Sequence, residues 1–263
     1  MKPVVFLGGG RITSAMLAGL RLDKRKHRLV VHDRHLDKLR KLRRQYGASI
    51  ETDLHKAVTQ ADVLIIAVRP TSVRKLLQAI GKVPRPLLAV SLAAGVPLRV
   101  LQRGLGAPVR WTRAMPSPVC RSGRGLTALA FSKGMSLRDR KFVQEFFASF
   151  GQVVEIPESK FDAFTVTFSC SHGYHALATL SKAAQAAGLD RKSALMAAAH
   201  ALADGITAWR DGEESLEALL EEAATPGGTA AATMAGQNLA GYGRAVRAGV
   251  QAGLARGRAN ARG

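Results

Sequence analysis

Three consecutive glycines follow the first apolar segment of the chain. Residues 4–7 are β-rich, Gly8 to Gly10 come next, and the residues from Ile12 onward have helical spacing. Gly8 and Gly10 therefore take the first two positions of a G-x-G-x-x-G pattern in its strand–turn–helix context, with Thr13 at the third. Bare N–H groups and the helix dipole attract a pyrophosphate at such a turn. We therefore predict that a dinucleotide is bound by Gly8, Gly9, Gly10, Arg11 and Ile12. The alternative is that these residues form only an ordinary turn between a strand and a helix.

The residues after the second predicted strand bear on which dinucleotide is bound. An acidic residue there holds the ribose hydroxyls of NAD, whereas an arginine accommodates the 2′-phosphate of NADP. The chain has both, as Asp33 and Arg34, and Lys38 follows one helical turn later. Because the cationic surroundings favour a phosphate, we predict NADPH bound through Asp33 and Arg34, with NADH left open. The alternative is that Asp33 only caps the next helix while Arg34 is solvated.

Alternating strands and helices have to position these residues. Short β-rich runs between helical patterns are typical of parallel βαβ units. The pattern predicts strands over residues 4–7, 28–31, 63–68, 87–92, 109–112, 127–131 and 153–156. It predicts helices over residues 12–22 and 36–46, the second of which carries many basic side chains.

The composition changes near residue 158, where strands end and an Ala-rich helical pattern begins, with breaks at 188–190 and 225–228. We therefore predict an α/β protein with an N-terminal Rossmann-type dinucleotide-binding domain over residues 1–158. An all-helical C-terminal dimerisation domain follows over residues 159–263. About a hundred Ala-rich residues bury little core alone, so we expect a homo-oligomer, at least a dimer, through these helices. The Gly/Ala/Arg-rich end after residue 249 is expected to fray.

The charge of the chain is its one compositional oddity. The 263 residues include 39 Lys and Arg against 19 Asp and Glu, a formal net charge of +20. Eleven basic residues fall between residues 21 and 44: Arg21, Lys24, Arg25, Lys26, Arg28, Arg34, Lys38, Arg40, Lys41, Arg43 and Arg44. No aromatic run accompanies the arginines near the end of the chain, so we expect no nucleic-acid partner.

Composition and cysteine content also exclude several classes of protein. The uncharged stretches are broken by polar residues, which argues against disorder and against a membrane-spanning helix. The first apolar segment is too short for a signal peptide. Two cysteines, Cys120 and Cys170, form neither a disulfide framework nor a zinc-ligand spacing. We therefore expect a cytoplasmic protein without a metal site.

Five segments occur in an order and spacing that are specific in combination. They are Gly8-Gly9-Gly10 with Gly19-Leu20, Ala67-Val68-Arg69-Pro70, Ser91-Leu92-Ala93-Ala94-Gly95, Arg113-Ala114-Met115-Pro116 and Thr225-Pro226-Gly227-Gly228-Thr229. In these segments, and over nearly its whole length, the chain resembles the pyrroline-5-carboxylate reductase family. The resemblance implies NAD(P)H-dependent reduction of the cyclic imine 1-pyrroline-5-carboxylate to proline, by hydride transfer to C=N in proline biosynthesis.

The resemblance also implies roles for individual residues. Two loops at carboxyl ends of strands would bind the nicotinamide half of the cofactor. The first loop consists of Ala67, Val68, Arg69 and Pro70, and the second of Leu92, Ala93 and Ala94. The substrate would be bound by Ser169, Ser171, Gly227, Gly228 and Thr229, with Thr229 as the catalytic residue. Thr225 would be the N-cap of a helix and Pro226 its first residue, so that free N–H groups meet the substrate carboxylate.

Three departures from the family pattern fall on the substrate side. Ser117 replaces an asparagine, residues 169–174 lose part of a glycine pattern, and Ala230 replaces a threonine. They leave open a different cyclic imine as substrate, or a degenerate paralogue that binds a dinucleotide or nucleic acid without catalysis. The β-hydroxyacid dehydrogenases share the glycine turn, but their Lys-x-x-x-Asn pattern is missing. His172 and His175 lack a third ligand and predict no metal site.

Overall fold

The computed structural model describes residues 2–23, 25 and 27–262. Lys24 and Lys26 of the basic stretch lie outside the described residues. The described residues form eight strands: β1 (Val4–Leu7), β2 (Leu29–His32), β3 (Ser49–Glu51), β4 (Val63–Ile66), β5 (Leu87–Ser91), β6 (Val109–Pro116), β7 (Gly125–Phe131) and β8 (Gly151–Glu155). The Val-, Leu- and Ile-rich runs of β1, β4 and β5 are strands, as their composition predicts.

The eight strands make one sheet in the order β3-β2-β1-β4-β5-β6-β7-β8. Strands β1 to β6 pair in parallel, and β8 is parallel to β7. The sheet is mixed rather than purely parallel, because β7 runs antiparallel to β6. The connection between them holds only a 3-10 turn, Pro118–Ser122, which is too short for the helical crossover that a parallel pair needs.

Helices cover both faces of the sheet and enclose two apolar layers. Successive residues of β1 point to opposite faces, so Phe6 enters one layer and Val5 the other, and both are fully buried. The first layer includes helices α1 (Arg11–Leu20), α2 (Leu36–Tyr46) and α6 (Leu137–Ala148); the second includes α3 (Leu54–Thr59), α4 (Val73–Ile80) and α5 (Leu98–Gly104). The sheet therefore has the two-sided burial of a doubly wound α/β fold.

Every described element after β8 is a helix, as predicted. These helices are α7 (Glu158–Thr167), α8 (Ser171–Ala186), α9 (Arg191–Asp211), α10 (Leu216–Ala223), α11 (Thr229–Leu239) and α12 (Tyr242–Arg262). The breaks predicted at 188–190 and 225–228 fall between α8 and α9 and between α10 and α11. The chain divides into two compact units, residues 1–167 together with 252–263, and residues 168–251. The domain boundary near residue 158 stays a prediction.

Several predicted bounds need correction. The first helix begins at Arg11 and ends at Leu20, not at residue 22, and β4 ends at Ile66 because Arg69-Pro70 turns the chain. Strand β3 was not predicted, since it has three residues, Ser49–Glu51, without an apolar run. The expected fraying after residue 249 is wrong for the described residues, because α12 continues to Arg262.

A buried arginine joins three elements of the N-terminal unit. Arg113 on β6 is 1% exposed and makes ion pairs with Glu158 (3.3 Å) and Asp162 on α7. Its guanidinium lies 4.4 Å from the centre of the Phe161 ring, and Glu158 also accepts a hydrogen bond from the Leu98 amide of α5 (3.0 Å). A buried charge is tolerated only with such partners. Arg113 thus fastens α7 to the sheet.

Candidate active site

The glycine turn lies where the strand order reverses, between the carboxyl ends of β1 and β4. Gly8 has a φ of +116°, and a Cβ there would lie 2.6 Å from the carbonyl oxygen of Ala67. The Gly8 amide donates to the carbonyl of His32 at the end of β2 (2.8 Å). Only glycine fits this position, and the reversal point is where an open parallel sheet binds ligands.

Gly10, in contrast, has open space around it. No atom lies within 4 Å of the position that a Cβ would take, and Gly10 is the N-cap of α1. No side chain caps this helix, and its first turn contains no acidic residue. The N–H groups of that turn, beside the exposed Arg11, therefore present a positive helix end to an uncovered position. This arrangement fits a pyrophosphate.

Thr13 explains the departure from the third glycine of the pattern. Its side chain is fully buried, and its hydroxyl donates to the carbonyl oxygen of Gly8. The substitution therefore adds a bond that fixes the turn. This bond does not follow from the glycine pattern, and the signal in the sequence is a hydroxyl residue five positions after the first glycine.

The carboxylate of Asp33 is bound to the same turn. One oxygen accepts the Gly9 amide (2.8 Å), the other accepts the His35 amide (2.9 Å), and Lys38 Nζ lies 3.8 Å away. Partial burial acts to raise the pKa of Asp33, but the two amide hydrogen bonds and the charge of Lys38 outweigh it and hold the pKa below its ordinary value. Asp33 is therefore an ionised anchor for Gly9, while Arg34 beside it is exposed.

Two loops begin at neighbouring strand ends beside the glycine turn. The Ala67 amide donates to the carbonyl of Leu7 (2.8 Å), and the Leu92 amide donates to the carbonyl of Ile66 (3.0 Å). The structure thus brings the predicted cofactor residues to one edge of the sheet: Gly8, Gly9, Gly10, Arg11, Ile12, Asp33, Arg34, Ala67, Val68, Arg69, Pro70, Leu92, Ala93 and Ala94.

The predicted substrate residues lie in the helical unit of residues 168–251. Ser169 and Ser171 are exposed just before and at the start of α8, and their hydroxyl oxygens are 2.8 Å apart. Gly228 is the N-cap of α11, and Thr229 is its first residue with an exposed side chain. Each pair offers hydroxyl or N–H groups that can meet a small polar molecule.

One predicted helix start is wrong. Thr225 is not an N-cap and Pro226 is not helical, because α11 begins at Thr229. The Gly228 amide donates to the carbonyl of Thr225 (2.9 Å), and Gly227 has a φ of +79°, which helical residues do not adopt. Proline followed by a glycine of positive φ is the sequence of a type II turn. The turn delays the helix and leaves Gly228 as its cap.

Other chemistries find less support in the described residues. Burial raises the pKa of the Cys120 thiol to about 11, so it is no nucleophile at neutral pH. In the described ranges no three His, Cys, Asp or Glu side chains come together as metal ligands. None of the described helices has the length and apolar character needed to cross a bilayer.

Similarity to known proteins covers both parts of the chain. Residues 3–95 match the family model described as NADP oxidoreductase coenzyme F420-dependent, and residues 158–260 match the model for pyrroline-5-carboxylate reductase dimerisation. The pyrroline-5-carboxylate reductase of Mycobacterium leprae is 32% identical over 212 residues, covering 77% of this chain and 72% of that protein. The chain belongs to the pyrroline-5-carboxylate reductase family.

Other members of the pyrroline-5-carboxylate reductase family extend the match. The enzyme of Synechocystis sp. is 29% identical over 251 residues, covering 94% of this chain and 93% of that protein. The solved Streptococcus pyogenes reductase has a TM-score of 0.90 at 21% identity and covers 98% of both chains. The Plasmodium falciparum reductase, solved with NADP bound, has a TM-score of 0.88 at 20% identity and covers 99% of this chain and 98% of its own. The fold is that of this family, with a Rossmann-like N-terminal domain and a helical dimerisation domain.

The anchoring role of Asp33 in this reductase-family chain predicts a pH-dependent effect. Asp33→Asn should lower the free energy of unfolding by about 1–2 kcal/mol at pH 7, since an amide replaces a carboxylate that accepts two N–H groups. A lowered pKa stabilises the folded state above the unfolded pKa, near 4, and this stabilisation is lost as the pH falls through the folded pKa. The difference between wild type and variant should therefore shrink below pH 4.

Urea unfolding at pH 7, 5 and 3 measures the effect of Asp33→Asn. Asp37→Asn is the matched control, because 97% of the Asp37 side chain is exposed at the start of α2, and its ion pair with Arg40 (3.6 Å) is a surface pair that contributes little. A stability difference for Asp33→Asn that is the same at all three pH values would contradict the anchoring role.

Proposed function

We propose that this chain reduces 1-pyrroline-5-carboxylate to proline with NADPH. The observation that carries the proposal is the continuous match to curated pyrroline-5-carboxylate reductases over both the glycine-turn half and the helical half. The open glycine turn at the sheet reversal supplies the place for the cofactor. We further propose a cytoplasmic location, which the low cysteine content supports.

The cofactor half of the site is proposed on the geometry of one sheet edge. The first turn of α1 and Gly8 to Gly10 would hold the pyrophosphate, and Asp33 would keep Gly9 in place. The nicotinamide would lie between the loop of Ala67, Val68, Arg69 and Pro70 and that of Leu92, Ala93 and Ala94. When bound, NADPH supplies the hydride of the reaction. The backbone of these loops would exclude water from that end of the crevice and orient the ring.

NADPH is proposed over NADH because of the charges around Asp33. Both carboxylate oxygens of Asp33 already accept backbone amides, which leaves this side chain poorly placed to hold ribose hydroxyls. Arg34 is exposed at the same strand end, and an arginine fork suits a phosphate. The description of the model matched by residues 3–95, an NADP oxidoreductase, supports the same choice.

Arg34→Ala should raise the KM for NADPH about tenfold or more and leave the KM for NADH within about twofold, since a charged hydrogen bond contributes roughly 1.5–3 kcal/mol. Steady-state rates with both cofactors provide the measurement. Lys41→Ala removes the same charge from an exposed position on α2 and is the control. Equal losses for the two cofactors would exclude Arg34 as the phosphate contact.

The substrate half of the site needs little acid–base chemistry. The imine nitrogen is basic enough to be protonated before hydride arrives. The hydride then adds to the carbon of C=N, the π electrons of that bond move to the nitrogen, and an amine results. The protein has to orient the ring and neutralise its carboxylate. We propose that Ser169, Ser171, Gly227, Gly228 and Thr229 do so, with the N–H groups at the start of α11 facing the carboxylate and the Thr229 hydroxyl touching the substrate.

Activity on a panel of five- and six-membered cyclic imine acids tests the reaction. We expect NADPH oxidation with 1-pyrroline-5-carboxylate in the wild type, and a loss of about tenfold or more in kcat/KM for Thr229→Val with unchanged NADPH affinity, because one hydrogen bond to a charged substrate is lost. Thr229→Ser, which keeps the hydroxyl, is the matched control and should stay within about twofold. If only a six-membered imine is turned over, the natural substrate is a six-membered cyclic imine acid. If no imine is turned over, the chain is a non-catalytic paralogue.

The described helices also support a homo-oligomer, which we propose to be a dimer through the C-terminal helices. Within residues 168–251 only Ser181, Ala194 and Ala198 are buried. Large apolar side chains of the same unit are exposed: Tyr174, Leu189, Leu195, Met196, Ile206, Trp209, Leu216, Leu220, Leu239, Tyr242 and Val246. A unit with so little core of its own needs a second surface to cover these side chains.

Sedimentation equilibrium should therefore give a mass of at least twice the 28.0 kDa of the chain at micromolar concentration. Ile206→Glu and Trp209→Glu together should weaken association about 100-fold or more, because two charges enter an apolar interface. Leu137→Glu is the control, since Leu137 is 83% exposed on α6 in the other unit. A monomeric wild type would refute the proposed dimer.

A further inference from the structure

The last turns of α12 pack within the N-terminal unit. Asn260 donates a hydrogen bond from its amide nitrogen to the carbonyl oxygen of Ala94 (3.3 Å), and Arg74 of α4 donates one to the carbonyl of Ala261 (3.3 Å). The carbonyls at the end of a helix have no partner within the helix, so Arg74 satisfies one of them. The end of α12 is thereby tied to both α4 and the loop after β5.

The loop after β5 is shaped to receive this helix. Gly95 is buried with a φ of +75°, and a Cβ at Gly95 would lie 2.4 Å from the carbonyl oxygen of Gly257 on α12. Any other residue at position 95 would be strained and would collide with the helix backbone. The close approach of the two backbones depends on glycine at position 95, so the path of the loop is fitted to the place of the helix.

Other anchors of the loop are the hydrogen bond from the Leu92 amide to the carbonyl of Ile66 (3.0 Å) and the buried side chains of Leu92, Ala93 and Val96. Its own hydrogen bonds are long, from the Ala93 amide to Ser91 Oγ (3.3 Å) and from the Val96 amide to the carbonyl of Ala93 (3.4 Å). A cavity of about 160 Å³ lies beside it, lined among others by Ala94, Val166, Leu254 and Asn260. Side-chain packing is therefore incomplete beside Ala94, and the contact with α12 adds to the bonds that hold the loop there.

We propose that Asn260 is a positioning residue for the nicotinamide-binding loop, acting through its hydrogen bond to Ala94. The inference rests on the proposed function, in which Leu92, Ala93 and Ala94 hold the nicotinamide half of NADPH. Arg74 has a related part, because α4 follows the other nicotinamide loop within a few residues of Pro70. The last turns of α12 thus help to hold both nicotinamide loops, while the adenosine end of the site lies at β2, three strands from β5 in the sheet.

Binding of two ligands to the purified full chain separates this role from a general effect on folding. NADPH reaches both ends of the site, whereas adenosine 2′,5′-bisphosphate reaches only the adenosine end. For Asn260→Ala we expect the Kd for NADPH to rise about five- to tenfold, the equivalent of one hydrogen bond. The Kd for adenosine 2′,5′-bisphosphate should stay within about twofold, and Asn260→Gln, which keeps the donor, should restore part of the loss.

Arg258→Ala is the matched control, because Arg258 is exposed on the same part of α12. Steady-state kinetics should show a raised KM for NADPH in Asn260→Ala with a smaller change in kcat. Arg74→Ala removes the other hydrogen bond to the end of α12 and should raise the Kd and KM for NADPH about two- to threefold. This variant tests the proposal if Asn260→Ala does not fold.

Parallel losses for the two ligands, or no loss for NADPH, would overturn the positioning role. These outcomes are distinct from a failure of the proposed function, since both Kd values are measured without substrate. If the wild type binds NADPH but reduces no imine, the proposed function fails, and the two Kd values still decide the role of Asn260. A wild type that binds neither ligand would refute the cofactor site, and this inference with it.

Discussion

The site depends on one close backbone approach, that of Gly8 at the end of β1 to the carbonyl of Ala67 at the end of β4. A Cβ at Gly8 would lie 2.6 Å from that oxygen, so the crevice at the sheet reversal has this shape only with glycine. The amide of Gly8 binds the end of β2 and its carbonyl binds Thr13 of α1. Three strands and a helix are thus fixed to a single residue, and the groups that meet a cofactor take their positions from it.

A second constraint is ionic and lies deeper in the same unit. Arg113 is a buried charged residue on β6, and its ion pairs with Glu158 and Asp162 hold α7 against the sheet. Taking a charge out of water costs several kcal/mol, and breaking such a buried pair is costly because it leaves a charge without compensation. From sequence, Arg113 stands out only as part of a motif; the structure shows that it is also the buried partner of two carboxylates.

The apolar strands were predictable because burial on both faces leaves a continuous run of Val, Leu and Ile, as in β1, β4 and β5. Pairing direction and exact turn type were not, since both depend on contacts or dihedral angles that local composition does not carry. The antiparallel β7 is one case, and the turn at Gly227, whose positive φ postpones α11, is another. The residues that we propose for the cofactor edge could be picked out from sequence, but the proposal that Asp33 anchors the turn while Arg34 meets the phosphate required the hydrogen bonds of Asp33.

The end of the chain shows how composition can mislead. Glycine, alanine and arginine without large apolar residues favour fraying, yet α12 remains helical to Arg262. Small residues allow the backbone of a helix to approach another backbone closely, as Gly257 approaches Gly95. The hydrogen bond from Asn260 to Ala94 helps to fix the end of the helix where side-chain packing is incomplete. The positive charge of the chain also has a local structural explanation on α2. On α2, Leu39 and Leu42 face the core while the basic side chains stay in solvent beside the strand end of Arg34, where their field favours an anionic cofactor.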